Sequence, residues 1–252
     1  MAPFMSIPGL GGPTPSFAKG QASGEASFTF KYHMYGSNMG ALRMYWMTSD
    51  GGGQVDDGTL TQITSPEFVA NGSATSVISG QQQTSSSQAW RDGSIDLSEF
   101  WGETGRVAFL YIKTSGSTSN NSGFRGDIGL DSMAITINED TTNLNEGTSN
   151  GTSTLWWTVP SYGFAYSSVA NCVSTFEGGI SGWVRCVDVA VNNDGGCFLK
   201  NDGGTGSGST GPSQSARGST GYYIYAETSN STGMDNGSNR YDFLLSNEFT
   251  LS

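Results

Sequence analysis

Apolar and polar residues alternate along much of this chain with a period of two residues. The alternation recurs, in chain order, in "SFTFKYHMY", "ALRMYWMT", "EFVA", "SIDLSEF", "RVAFLYIKT", "DIGLDSMAITI", "STFEG", "YYIYAET" and "YDFLLSNEFTL". A period of two indicates β-strands with one buried face, and no window of about 11 residues keeps the apolar stripe of an amphipathic helix. Short strands separated by turn-rich loops predict an all-β fold, a β-sandwich or jelly roll.

The segment "RVAFLYIKT" differs from the others because both of its faces are apolar. Two apolar sets alternate in it: Val107, Phe109 and Tyr111 on one face, and Ala108, Leu110 and Ile112 on the other. Such a strand is typical of the middle of a fold, where both faces of the sheet are covered. We therefore predict that it is a central strand.

Polar, glycine-rich stretches separate the predicted strands. Residues 71–88 and 113–123 have the composition of loops, and residues 138–154 have that of a flexible linker. The following "LWWTVPSYGFAY" is too apolar for a solvated tether, so we expect it to pack on the sandwich or on a partner. Residues 201–221 form a glycine-rich loop without the GK[ST] signature of a phosphate loop.

The charge of the chain argues against nucleic acid as a partner. Lys and Arg total 11 against 22 Asp and Glu, and the formal net charge is −11. Such a field repels a phosphate backbone. No apolar run of about 18 residues predicts a membrane span. Residues 1–25 lack the basic and apolar regions of a secretory signal peptide, so we expect an extended arm or linker there.

Cysteine and histidine are too few to predict a catalytic or zinc site. Cys186 and Cys197 flank a short loop and are candidates for a local disulfide, which leaves Cys172 single; alternatively all three are reduced thiols. His33 is the sole histidine, so neither a catalytic triad nor a histidine-based metal site can be built. We expect His33 to be a half-buried strand residue and the protein not to be an enzyme.

Several motifs resemble the MAM domain, the extracellular jelly-roll module of meprins, neuropilins and receptor tyrosine phosphatases. "FTFKYHMYGSNMGALRMYW", "AWRDGSIDLSEFWGETGRVAFLYIKTSG" and "GFRGDIGLDSMAI" are similar to the second half of that domain. "STFEGGISGW", "TGPSQSARGSTGYYIYAETS" and "FLLSNEFTL" are similar to its first half. Gly129 and Ser132 depart from the family's GDIALDDI motif, and one expected cysteine is missing.

The two halves stand in reversed order in this chain. Residues 26–137 resemble the second half of the family's domain and residues 172–252 the first, with residues 138–171 between them as a linker that contains the aromatic segment. Two arrangements are open. The halves close on each other within one chain, as a circularly permuted jelly roll. Alternatively, one subunit donates strands to the next and forms a ring or a fibre.

The resemblance also implies a structural cation near the start and end of the domain. The matching residues are Glu177 and Asp131, with Asp127 nearby, and Ca²⁺ accepts the six to eight oxygen ligands that carboxylates and carbonyls supply. The alternative is that these carboxylates accept hydrogen bonds from loop amides.

By resemblance, the expected function is adhesion and assembly. The favoured hypothesis is a structural subunit of a virion, such as that of a phage, or of an extracellular filament, with copies of itself or other structural proteins as partners. The alternative is a carbohydrate-binding adhesin at an extracellular or virion surface. Its glycan-stacking or interface residues would be Trp156, Trp157, Tyr162, Phe164 and Tyr166.

Overall fold

The protein is all-β, as the alternation predicts. A computed structural model describes residues 24–48, 60–64, 67–113, 125–139, 165–166, 171–174, 184–185, 198–228, 241–246 and 249–251. Throughout these ranges the strands pair antiparallel, and the helical structure is a single 3₁₀ turn, Ser98–Phe100. No helix in the described part of the chain is long and apolar enough to cross a membrane.

The first sheet is organised around two long neighbouring strands, β1 and β9. It runs in the order β10-β11-β9-β1-β7-β4-β5, with β14 also on β9 and β13 beyond β14. Its described strands are β1 (Gly24–Met34), β4 (Phe68–Ala70), β5 (Ser73–Ala74), β7 (Arg91–Asp96), β9 (Ile128–Glu139), β10 (Ala165–Tyr166), β11 (Asn171–Ser174), β13 (Phe198–Asn201) and β14 (Tyr223–Ala226).

The second sheet has β2 and β8 at its centre. It runs in the order β12-β15-β8-β2-β3, with β16 also on β8 and β6 also on β2. Its described strands are β2 (Ala41–Thr48), β3 (Leu60–Ile63), β6 (Ile78–Ser79), β8 (Thr104–Ile112), β12 (Val184–Arg185), β15 (Tyr241–Leu245) and β16 (Phe249–Thr250).

The two sheets pack on each other through aromatic side chains. The ring of Phe109 on β8 meets that of Phe30 on β1 edge-on at 5.1 Å and that of Phe28 at 5.8 Å. All three side chains are buried in a core shared by both sheets. Edge-on and tilted contacts at these distances are the favourable geometries for aromatic pairs. This shared core makes the fold a β-sandwich.

The central-strand prediction for β8 is confirmed with a difference between its faces. Val107, Phe109 and Tyr111 are fully buried between the sheets, whereas on the other face Ala108 is buried but Leu110 and Ile112 are only partly covered. Both edges of β8 carry partner strands, β2 on one and β15 with β16 on the other. The strand is therefore central in the sheet, and it has one core face.

Strands from late in the chain cover the outer edges of β8 and β9. β9 pairs with β1 along one edge, and β11 and β14 share the other edge. β8 pairs with β2 along one edge, and β15 and β16 share the other. In the described structure, four strands cover those two edges: β11, β14, β15 and β16. We call them the completing strands.

An aromatic cluster fixes β16 to the second sheet. Trp46 stacks on Phe100 at 5.1 Å and meets Phe249 edge-on at 5.3 Å, and its indole N–H donates to Glu103 Oε2 at 2.8 Å. The amide of Gly102 donates to the Leu251 carbonyl at 2.6 Å, and the Leu251 amide donates to the Glu103 carbonyl at 3.0 Å. The completing strands are thus held by side chains as well as by sheet hydrogen bonds.

Replacing Phe109 with alanine should destabilise the sandwich strongly. The substitution removes a fully buried ring that contacts two rings of the opposite sheet, and large cavities of this kind cost about 3–5 kcal/mol. Urea unfolding of the full chain measures the loss. The matched control is Leu110→Ala, one position along the same strand on its partly covered face. Equal losses for the two variants would contradict the assignment of the core face.

Candidate functional site: a buried acidic pair under a glycine-rich loop

Two acidic residues flank the point where β9 and β14 meet. Ile128 of β9 and Ala226 of β14 are register partners in an antiparallel pair. Asp127 directly precedes Ile128 and Glu227 directly follows Ala226. Residues opposite each other on antiparallel neighbours face the same side, with Cβ atoms about 5 Å apart. The register therefore brings the two carboxylates together.

The pair lies on the outer face of the first sheet, under residues 202–222, which we call the covering loop. Asp127 and Asp131 point away from the core, which Ile128 and Leu130 occupy. The Asp127 amide donates to Thr210 Oγ1 at 2.9 Å, and Asp131 Oδ2 accepts from the Ala216 amide at 2.8 Å. The covering loop thus follows β9 and contacts its alternate positions.

Gly129 sits between these two aspartates and leaves room for the covering loop. A Cβ atom there would be 2.7 Å from the ring of Trp90 and 3.0 Å from Pro212 Cγ. Distances below about 3 Å force a neighbour to move, so a side chain at this position would push Trp90 or the loop away. The departure from the GDIALDDI motif at Gly129 therefore has a packing reason in this chain.

Hydrogen bonds satisfy one oxygen of Asp127 and leave the other without a partner. Asp127 Oδ1 accepts from the Thr228 amide at 2.9 Å and from Thr228 Oγ1 at 2.8 Å. Asp127 Oδ2 is buried and makes no hydrogen bond within ordinary distance and angle limits, although the side chain of Thr205 is close enough to favour the ionised form of Asp127. Glu227 Oε1 accepts from Ser207 Oγ at 3.0 Å.

The environment of Asp127 opposes negative charge. Asp127 is 0% exposed and Glu227 is 3% exposed. Burial, with the charge of Glu227 as the next cause, raises the pKa of Asp127 to about 7. Burial also raises the pKa of the neighbouring Tyr225 to about 12, and the same two carboxylates contribute to that shift. A proton or a small cation would compensate this charge.

Asp131 uses its carboxylate to hold backbone amides. Its Oδ1 accepts from the Ser132 amide at 2.6 Å, and its Oδ2 accepts from Ala216. Ser132 has a φ of +50°, a left-handed conformation that is uncommon outside glycine. These contacts agree with the alternative prediction for Asp131, in which its carboxylate accepts hydrogen bonds from backbone amides. Glu177 lies outside the described residues, so a Ca²⁺ ion shared by Glu177 and Asp131 stays a prediction.

The remaining predicted site residues fall largely outside the described ranges. Trp156, Trp157, Tyr162 and Phe164 lie there, as do Cys186 and Cys197. Tyr166 belongs to β10, where it is the register partner of Cys172 on β11. The glycan-binding hypothesis therefore stays a prediction.

His33 is a strand residue, as expected, but the prediction that it is half-buried is wrong. Its side chain is 0% exposed in β1, and its ring lies 5.6 Å from that of Trp90. Residues 82–90 pass over this end of β1, where Gln83 Oε1 accepts from the Met34 amide at 2.7 Å. Burial lowers the pKa of His33 to about 4.

Sequence reasoning missed Glu227, Ser207 and Thr210. A signal for Glu227 exists, because an acid directly follows the apolar run "YYIYA", and an acid at the end of a buried strand needs a partner. The hydroxyl groups of the covering loop carry no comparable signal, since serine and threonine are common in any loop.

Comparison of this chain with protein-family models, with curated proteins and with solved structures finds no match. The likeness to MAM domains therefore rests on the quoted motifs and stays a prediction.

Replacing Thr228 with valine should loosen the acidic pair. Thr228 Oγ1 donates to Asp127 Oδ1 and also accepts from the Gly126 amide at 3.1 Å. The isosteric change to valine removes both hydrogen bonds and leaves those two buried groups without them. The expected loss in free energy of unfolding is about 2–3 kcal/mol, because buried polar groups left unsatisfied are costly. Urea unfolding provides the measurement, and the control is Thr220→Val on the exposed part of the covering loop. A loss no larger than that of the control would speak against the contact.

The burial of His33 predicts a specific loss of stability in acid. The pKa of His33 is lowered from 6.5 to about 4 in the folded state, so below pH 6.5 the unfolded chain takes up a proton that the folded chain does not. This contribution of His33 should lower stability by up to about 1.4 kcal/mol per pH unit between these two values, and because the raised pKa of Asp127 acts in the opposite direction, it is measured as the difference from a variant without His33. The His33→Phe variant lacks this contribution, so its advantage over wild type should grow from pH 7 to pH 4.5 in urea unfolding. A constant difference across that range would refute the assignment.

Proposed function

We propose that this chain is a non-enzymatic structural protein that assembles through β-sheet contacts. The observation that carries the proposal is that the outer edges of β8 and β9 are covered by the completing strands. Closure of the sandwich is therefore a docking event between an early and a late part of the chain. The same docking between two copies would link them.

The geometry of the two covered edges suits such docking. β9 presents positions from Ile128 to Thr136 to β14 and β11, and β8 presents positions from Thr104 to Ile112 to β16 and β15. Without their cover, both strands would expose long rows of unpaired backbone groups, which are templates for pairing with another chain. Edges of this kind bind an added strand mainly through backbone hydrogen bonds. A head-to-tail exchange of this type extends into rings or filaments.

The resemblance to MAM domains supports the adhesion and assembly class. The proposed fold is a MAM-like jelly roll with its halves in reversed order, closed within one chain or by exchange between subunits. The proposed role is that of a subunit of a virion or of an extracellular filament, with other copies or other structural proteins as its partners. The net charge of −11 favours such protein partners over nucleic acid.

Subunit mixing should reveal the proposed assembly. Two batches of the full chain, one carrying a donor dye and the other an acceptor dye, are unfolded together and refolded as a mixture. We expect energy transfer between the dyes, and light scattering should give masses that are multiples of 26.5 kDa and that persist on dilution.

The variant Leu244→Ala tests whether the completing strands carry the assembly. Leu244 is buried and pairs with Phe109 across β15 and β8, so its truncation should weaken the docking and lower the mean mass. Glu99→Ala, at an exposed position, is the control. A mass of 26.5 kDa for the wild type at every concentration, without energy transfer, would overturn the proposal of self-assembly.

A further inference from the structure

The acidic pair brings two carboxylates together in a buried part of the fold. Asp127 and Glu227 face the same side of two neighbouring strands, and both are almost completely buried. Two adjacent buried carboxylates repel each other, and each loses its hydration. Asp127 Oδ2 has no hydrogen-bond partner in the described structure, which is rare for a buried side-chain oxygen.

Hydroxyl oxygens of the covering loop lie next to the pair, from Ser207 beside Glu227 and from Thr205 beside Asp127. Ser207 Oγ contacts Glu227 Oε1 at 3.0 Å, and Thr205 Oγ1 donates to the carbonyl of Thr210 at 3.0 Å on the same stretch of the covering loop. Gly206 lies beside Glu227, where an added Cβ would be 3.5 Å from Oε2. Carboxylate, hydroxyl and carbonyl oxygens are the ligands of hard cations, whereas zinc and copper prefer nitrogen and sulfur.

We propose that Asp127 and Glu227 bind a divalent cation, with Ca²⁺ as the best-matched ion, beneath residues 205–210. Among the described residues, no group of three or more His, Cys, Asp or Glu side chains is placed so that it could hold a metal ion. The ion therefore completes its shell with hydroxyl and carbonyl oxygens and with water. Ca²⁺ tolerates such irregular shells of six to eight oxygens, while Mg²⁺ requires a near-octahedral set.

This site differs from the one that the family resemblance implies. It uses Glu227 in place of Glu177, and it leaves Asp131 to the amides of Ser132 and Ala216. Its two carboxylates, those of Asp127 and Glu227, are 100 positions apart in the sequence. The bound ion would hold β14 and the covering loop against β9, and this role does not depend on whether the chain assembles.

Calcium titration of the metal-free full chain tests the proposal. The protein is treated with a chelator, exchanged into chelator-free buffer at pH 7.5, and titrated with Ca²⁺ by calorimetry and by thermal melting. We expect binding at Asp127 and Glu227 and a melting temperature that rises with Ca²⁺ concentration, because an ion that binds only the folded state stabilises it. Mg²⁺ should give a smaller rise at equal concentration.

Neutral variants locate the ion. Asp127→Asn and Glu227→Gln should weaken Ca²⁺ binding by at least about 100-fold, because each removes a charged ligand. Both variants lower the buried negative charge, so they should melt no lower than wild type in the absence of Ca²⁺. Asp202→Asn, at an exposed position of the covering loop, and Asp131→Asn should both keep the Ca²⁺-induced rise in melting temperature.

Three outcomes would overturn the proposal. One is a wild-type chain that shows neither heat nor a melting shift with Ca²⁺. The second is an Asp127→Asn variant that keeps the full Ca²⁺ response. The third is a response lost in Asp131→Asn alone, which would place the ion at the site implied by the family resemblance. If the wild type ignores Ca²⁺ but melts higher as the pH is lowered through 7, the two carboxyls share a proton instead.

Discussion

The pairing of the completing strands with β8 and β9 is the constraint on which the other features depend. It connects the late part of the chain to both sheets, and it adds late residues such as Ile224 and Leu244 to the core that contains Phe30 and Phe109. It also sets the register of β14 against β9, and through that register it brings Asp127 and Glu227 together. The acidic pair is thus a consequence of sheet closure.

The outer face of β9 follows a simple rule of alternation. Inward positions carry apolar side chains such as Ile128 and Leu130, and the outward positions in between carry Asp127, Gly129 and Asp131. In a sheet with a solvated outer face, polar residues at such positions need no further explanation. Here the covering loop removes them from water, so each outward position must either bind the loop or leave room for it. Asp131 binds it, Gly129 makes room, and Asp127 combines a contact to Thr210 with an unpartnered oxygen.

The sequence predicts the local features well and the long-range ones poorly. The alternation in residues 104–112 identifies β8 and its core face, because side-chain direction in a strand depends only on position. The pairing partner of Asp127 could not be predicted, because the contact to Thr228 spans 101 positions and depends on how two distant strands align. The sequence predicts half burial for His33. The structure buries it fully, because Trp90 from another part of the chain covers it. The sequence shows that the covering loop is glycine-rich, but it does not predict that the loop lies over β9.

The separation between β8 and its cover has a consequence for synthesis of the protein. Arg106 donates to the carbonyl of Ser246, 140 positions later. At translation rates of about 5–20 residues per second, roughly 7 to 28 s pass between the appearance of the two partners. During that interval β8 leaves the ribosome with one bare edge. A nascent chain of this design benefits from a chaperone that shields strand edges until its last strands are made.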